Sequence, residues 1–129
     1  PRLGDVRGLA GATTPGGPPV HVELQGDEAR VPESVAAAVY RLVQESVTNA
    51  RRHARRASRI DVTVRTGHDA VTVEVTDDGE RPGARGDVGF GIAGMVERAE
   101  GLGGTCVAGP RADGGWAVTA VLPFEGASA

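Results

Sequence analysis

The chain is expected to fold as an α+β, two-layer α/β sandwich, a mixed and mostly antiparallel sheet with its helices on one face. Three observations lead there. Apolar residues alternate with period two in adjacent runs, Ile60, Val62, Val64 and then Val71, Val73, Val75, with a second such pair between Thr105 and Pro123. Short Gly- and Asp-containing turns join the members of each pair, which forces antiparallel neighbours. Only two later stretches have true helical spacing, and two helices can cover one face of such a sheet but not both.

Taken in order, residues 1–19 hold a short helix-like stretch, Leu3 to Ala12, and then the turn-forming cluster Thr13-Thr14-Pro15-Gly16-Gly17-Pro18-Pro19. Val20, Val22 and Leu24 alternate with His21 and Glu23, the mark of a half-buried strand, and Gly26-Asp27-Glu28 turns the chain. A long helix follows. Pro32 suits its first turn, where a missing N–H costs nothing, and Glu33 places negative charge near the positive end of the dipole. Val39, Val43, Val47, Ala50 and Ala54 form one apolar stripe, and the basic run Arg51 to Arg56 falls at the C-terminal end, which favours cations. Strands over Ile60–Val64 and Val71–Val75 meet at the tight turn Gly67-His68-Asp69. Residues 79–91 are rich in Gly, Pro and charge and read as a mobile loop. A second helix is expected from Ile92 to about Leu102, stopped by Gly103-Gly104. Two last strands join around Ala112-Asp113-Gly114-Gly115.

The composition narrows the class. A length of 129 residues suits one domain, and 40% hydrophobic residues can build a core, though with 3% aromatics it must rest on Val, Ala and Leu. A net charge of −3 argues against a nucleic-acid or membrane-surface binder. All 14 basic residues are Arg, which reads as coding bias. The single cysteine, Cys106, lies in a strand-like apolar setting, so a small buried hydrophobe is its expected role, and a cytoplasmic setting follows. No run of apolar residues is long enough to span a bilayer, so if a parent protein is membrane-anchored the anchor is expected outside this segment.

Three polar clusters interrupt these patterns. In Gln44 to Ala54, Glu45 and Asn49 are four apart and share a helix face at the margin of the apolar stripe. Asn49, the sole asparagine, offers a hard carbonyl ligand of the kind Mg²⁺ accepts beside water and phosphates. A carboxylate one turn earlier could take a proton or hold a metal-bound water, although an exposed polar pair on an amphipathic helix explains the spacing as well. Asp77 continues the alternation of Val71, Val73 and Val75, so its carboxylate turns toward the helices, where it is costly unless hydrogen-bonded. An adenine amino group is a fitting donor; a strand that simply ends at Asp77, followed by the surface turn Asp78-Gly79, is the other reading. Gly89-Phe90-Gly91-Ile92 precedes the second helix, where exposed backbone N–H groups suit phosphate oxygens.

In this order the clusters resemble the N, G1 and G2 boxes of the histidine kinase ATP-binding domain, part of the wider Bergerat-type group shared with gyrase, the chaperone Hsp90 and mismatch-repair MutL. Arg41, Gln44, Glu45, Asn49, Ala50, His53 and Ala54 are similar to the pattern of the nitrate/nitrite-sensor and DesK branch. So is the run from Gly89 through Gly94-Met95, Glu97-Arg98 and Leu102-Gly103-Gly104. The resemblance covers about residues 20–123 and implies a division into a connector (1–19), an ATP-binding domain (20–125) and a tail (126–129).

It further implies ATP and Mg²⁺ as cofactors and a role for each matching residue. Asn49 would coordinate the Mg²⁺ that bridges the phosphates, and Glu45 would act as general base or position the histidine nucleophile. Asp77 would bind the adenine amino group, and Gly79 would let the chain pass the base. Gly89, Gly91 and Ile92 would meet the nucleotide from the lid, and His53 would reach a phosphate or the ribose. The reaction implied is transfer of the γ-phosphoryl group to a histidine of a separate dimerisation domain, with a response regulator downstream. His21, His53 and His68 do not sit in the charged helical setting a phosphoacceptor needs, so that histidine is expected in a segment before residue 1. The isolated chain is accordingly expected to be monomeric and the full-length protein a homodimer. An anti-sigma-factor-type serine kinase and a non-catalytic module of the same fold are the alternatives. Two positions depart from the family pattern: Arg81 stands where a second glycine is usual, and Trp116 follows Gly115 where threonine is common.

Overall fold

The computed structural model describes residues 2–11, 17–80 and 92–125. Five strands, β1 (Val20–Gln25), β2 (Ile60–Thr66), β3 (Ala70–Asp77), β4 (Thr105–Pro110) and β5 (Trp116–Pro123), form one sheet in the order β1-β2-β3-β5-β4. Among the described residues two α-helices, α1 (Glu33–His53) and α2 (Ile92–Gly101), lie on one face, beside a 3-10 helix over Leu3–Gly11, and a single 3-10 turn spans Glu28–Arg30. The two-layer sandwich expected from the alternation is therefore the fold. β1 runs parallel to β2 because α1 carries the chain back between them, and every other pairing is antiparallel.

Each element follows from local physics. α1 starts one residue later than the proline suggested: Pro32 is the cap, extended at ψ 154, and its carbonyl accepts from Ala36 N at 2.9 Å. The stripe Val35, Val39, Leu42, Val43, Val47 and Ala50 is buried. On the sheet the alternation delivers Ile60, Val62 and Val64, Val71, Val73 and Val75, and Val118, Ala120 and Leu122 to the same inner face. Registers Val62 to Val75 and Val75 to Val118 place these side chains in rows across the three central strands. Cys106 is buried among them, and burial pushes its thiol pKa up.

The first residues also enter the core. Leu3 and Val6 are buried beside α1 and β1, so the 3-10 helix closes the layer on the β1 side. α2 closes it on the other side, resting on β4 and β5, and ends in a turn through Leu102 and Gly103 in which Gly104 N donates to Ala99 O at 2.8 Å. No described helix is long and apolar enough to cross a membrane.

Candidate functional site

The site is assembled where α1 ends, β3 ends and α2 begins. Glu45, Asn49 and His53 follow one another at four-residue intervals, all half-buried, along one flank of α1. Ser46, next to Glu45 and three residues before Asn49, fixes which neighbour that flank has. Its buried hydroxyl donates to Met95 Sδ of α2 at 3.3 Å. This contact joins α1 to the first turn of α2, where Ile92 is half-buried. Arg51, Arg52 and His53 occupy the last turn of α1, and the two arginines supply positive charge at that end.

Asp77 is the last residue of β3 and is 3% exposed, on the same face as Val71, Val73 and Val75. It stands opposite Ile60 of β2 on one side and Trp116 of β5 on the other. Its Oδ1 accepts the N–H of Gly79 at 2.9 Å, which curls the chain as it leaves the strand. Gly115 has φ +100, and a Cβ there would meet Asp77 O at 2.1 Å. Only glycine satisfies both the turn and this approach, and it lets β5 start level with Asp77. Trp116, at the position where the family pattern departs, is 7% exposed and lies on the inner face beside that carboxylate.

The end of β3 abuts the end of α1. A Cβ at Gly79 would fall 2.9 Å from Ala54 Cβ, 3.0 Å from Ala57 Cβ and 3.0 Å from Arg55 O. Arg55 and Glu80 exchange both backbone hydrogen bonds at 2.7 Å. Asp78 accepts from Ser58 N at 2.7 Å, from the Ser58 hydroxyl and from Arg59 N at 3.3 Å. Those donors, the Ser58 hydroxyl first, hold the Asp78 carboxyl below the usual carboxylate range. Asn49 precedes Ala54 by five residues, or roughly 7–8 Å along the helix axis, so the amide and the Asp77 strand terminus belong to one neighbourhood.

Of the residues the sequence pointed to, Glu45, Asn49 and His53 lie along one flank of α1, Asp77 and Gly79 at the strand end that meets the end of α1, and Ile92 in the first turn of α2. Gly89, Gly91 and Arg81 lie outside the described residues. Sequence reasoning assigned no tertiary role to Ser46, to Asp78 beyond a turn, or to Met95 beyond the matching pattern; the Ser46 to Met95 and Ser58 to Asp78 contacts span 49 and 20 residues. The one available signal was Ser46 itself, a hydroxyl three residues from Val43 and four from Ala50 on the buried stripe. Among the described residues no cluster of three or more His, Cys, Asp or Glu could hold a metal by itself. A Mg²⁺ that takes one or two protein oxygens and otherwise water and phosphate does not require one, and the Asn49 carbonyl with the Glu45 carboxylate fits that donor set.

A two-layer sandwich whose sheet ends in an inward carboxylate beside a helix carrying Glu and Asn defines a class of ATP-binding domains. The chain belongs to that class, the family of histidine kinase-, DNA gyrase B- and HSP90-like ATPases, whose pattern matches residues 34–126. It is similar to the sensor histidine kinase YxjM of Bacillus subtilis (strain 168), with 38% identity over 89 residues, 67% of this chain and 21% of that protein. The signal transduction histidine-protein kinase/phosphatase DegS of Brevibacillus brevis is 33% identical over 101 residues, 77% of this chain and 26% of that one. The chain therefore spans only about a fifth to a quarter of the length of these relatives. Among solved structures, the ATP binding domain of PrrB from Mycobacterium tuberculosis shares the fold. Its TM-score is 0.62 at 21% identity, over 99% of this chain and 96% of that one. The histidine kinase domain of the blue-light activated histidine kinase of Erythrobacter litoralis EL346 matches at TM-score 0.61 and 24% identity, over 95% and 61% of the two chains.

Proposed function

We propose that this chain is the ATP-binding catalytic domain of a sensor histidine kinase of the nitrate/nitrite-sensor and DesK branch. One observation carries the reading: a carboxylate, Asp77, is buried on the inner face of the sheet where the end of β3 meets the end of the helix that bears Glu45 and Asn49. In this reading Asp77 accepts a hydrogen bond from the adenine amino group, and Gly79 lets the chain pass the base. Asn49 and Glu45 offer oxygen to a Mg²⁺ that neutralises phosphate charge when bound, and His53 reaches a phosphate or the ribose. Gly89 and Gly91 meet the phosphates from the segment before α2.

The reaction is in-line transfer. A histidine nitrogen of a separate dimerisation domain attacks the γ-phosphorus, the bond from that phosphorus to the bridging oxygen breaks, and ADP leaves with the electron pair. Glu45 takes the proton of the attacking imidazole or orients it. Most of the rate then comes from positioning and charge neutralisation. A response regulator receives the phosphoryl group downstream, the full-length kinase is a homodimer, and this domain works in the cytoplasm. The Gly94-Met95-x-Glu97-Arg98 start of α2 favours this branch over a serine kinase of the same fold.

Calorimetric titration with ATP, with and without Mg²⁺, tests the assignment. Asp77→Ala is expected to abolish binding, and Asn49→Ala to remove mainly its Mg²⁺ dependence. Unchanged titrations for both variants would overturn the site.

A further inference from the structure

Asp78, between Asp77 and Gly79, is the residue of its cluster without a role in the reading above. Three donors converge on Asp78: Ser58 N, the Ser58 hydroxyl and Arg59 N. All belong to the loop between α1 and β2. That loop is also tied to the end of β3 through the Arg55 and Glu80 backbone pair and an exposed Arg56 to Glu80 ion pair at 3.9 Å. It also contains Arg56 at φ 60, a left-handed conformation that a non-glycine residue adopts only when its surroundings hold it there. Asp78 adjoins Asp77 on the strand, while the loop continues directly from the helix turns bearing Asn49 and His53. A carboxylate that accepts from three donors is a directional link.

We infer that Asp78 is a positioning residue, whose side chain, through Ser58, sets the span between the strand end that carries Asp77 and the helix end that carries Asn49 and His53. The inference rests on the nucleotide reading above. In that reading adenine lies at one end of the span and the phosphates at the other. A ligand that reaches both ends must match the distance, whereas a ligand that reaches only the adenine end does not feel it.

The test compares ATP with Mg²⁺ and adenosine on the whole chain, by chemical-shift titration of unaltered protein, Asp78→Ala, Ser58→Ala and Ser58→Thr. Asp78 and Ser58 are both exposed, so the core is untouched, and Ser58→Ala leaves the strand itself unaltered. ATP affinity is expected to fall about tenfold in both alanine variants, with adenosine affinity kept within about twofold and Ser58→Thr close to unaltered protein. Equal losses for the two ligands, or no loss for either, would overturn the inference while leaving the nucleotide site in place. Failure of the unaltered chain to bind ATP would overturn the nucleotide reading and this one with it.

Discussion

Gly79 and Ala54 are held so close that a methyl group on the first would stand 2.9 Å from the β-carbon of the second. Ala54 caps α1, its N–H bonded to Ala50 O, and Gly79 follows the last residue of β3 by two. The contact joins a helix and a strand that are 25 positions apart, and on it depends whether Asn49 and Asp77 can serve one ligand.

Gly79→Ala tests that joint. The added carbon meets Ala54, Ala57 and the backbone of Arg55 together, so the loop or the strand end must shift. Overpacking of this kind costs about 1–3 kcal/mol. The thermal midpoint is expected to drop and ATP affinity to weaken with it. An unchanged melting curve would mean the joint yields freely.

Trp116 is the sole tryptophan and lies beside Asp77 across the sheet. If adenine binds at that carboxylate, the indole reports it. Saturating ATP with Mg²⁺ is expected to change the emission of the protein, and the change should vanish in Asp77→Ala. Emission indifferent to ATP at concentrations that saturate calorimetrically would place the base elsewhere.

Met95 is fully buried and is the sulfur partner of Ser46. Truncation to alanine leaves a cavity between the two α-helices and should cost about 2–5 kcal/mol, measured by denaturant unfolding. Met95→Leu keeps the volume and should cost under about 1.5 kcal/mol. Equal losses in the two variants would show that the sulfur contact outweighs the packing.

The Asp78 carboxyl gives the fold an acid limb with a definite sign. Its pKa is lowered in the folded state, so the stability it contributes is present above the unfolded value of about 3.9 and is lost as pH falls through the lower folded value. Unaltered protein should melt above Asp78→Asn at neutral pH, and the two curves should converge below about pH 4. The group is exposed, so the gap will be small. A gap that persists undiminished into strong acid would assign it to another cause.

Much of the site was legible in advance because its residues break periods. Asp77 was noticed as a charge on a beat of valines, and its burial follows from the same alternation that buries Val75. Glu45 and Asn49 were placed at the edge of the apolar stripe by helical spacing, and both are half-buried. Asp78 was not legible, because an aspartate before a glycine at a strand end looks like a turn. Its real partners, Ser58 and Arg59, show no local pattern that ties them to it.

The periodicities of the chain alone determined its elements and the face each presents, because backbone geometry repeats every two or 3.6 residues whatever surrounds it. Tertiary structure alone decided that β1 joins β2 in parallel, that β5 rather than β4 sits beside β3, and that the Asp77 end of the sheet meets the Asn49 end of α1. Those facts rest on which surfaces can be buried together and which polar groups find partners across many residues. No local window of sequence contains that information.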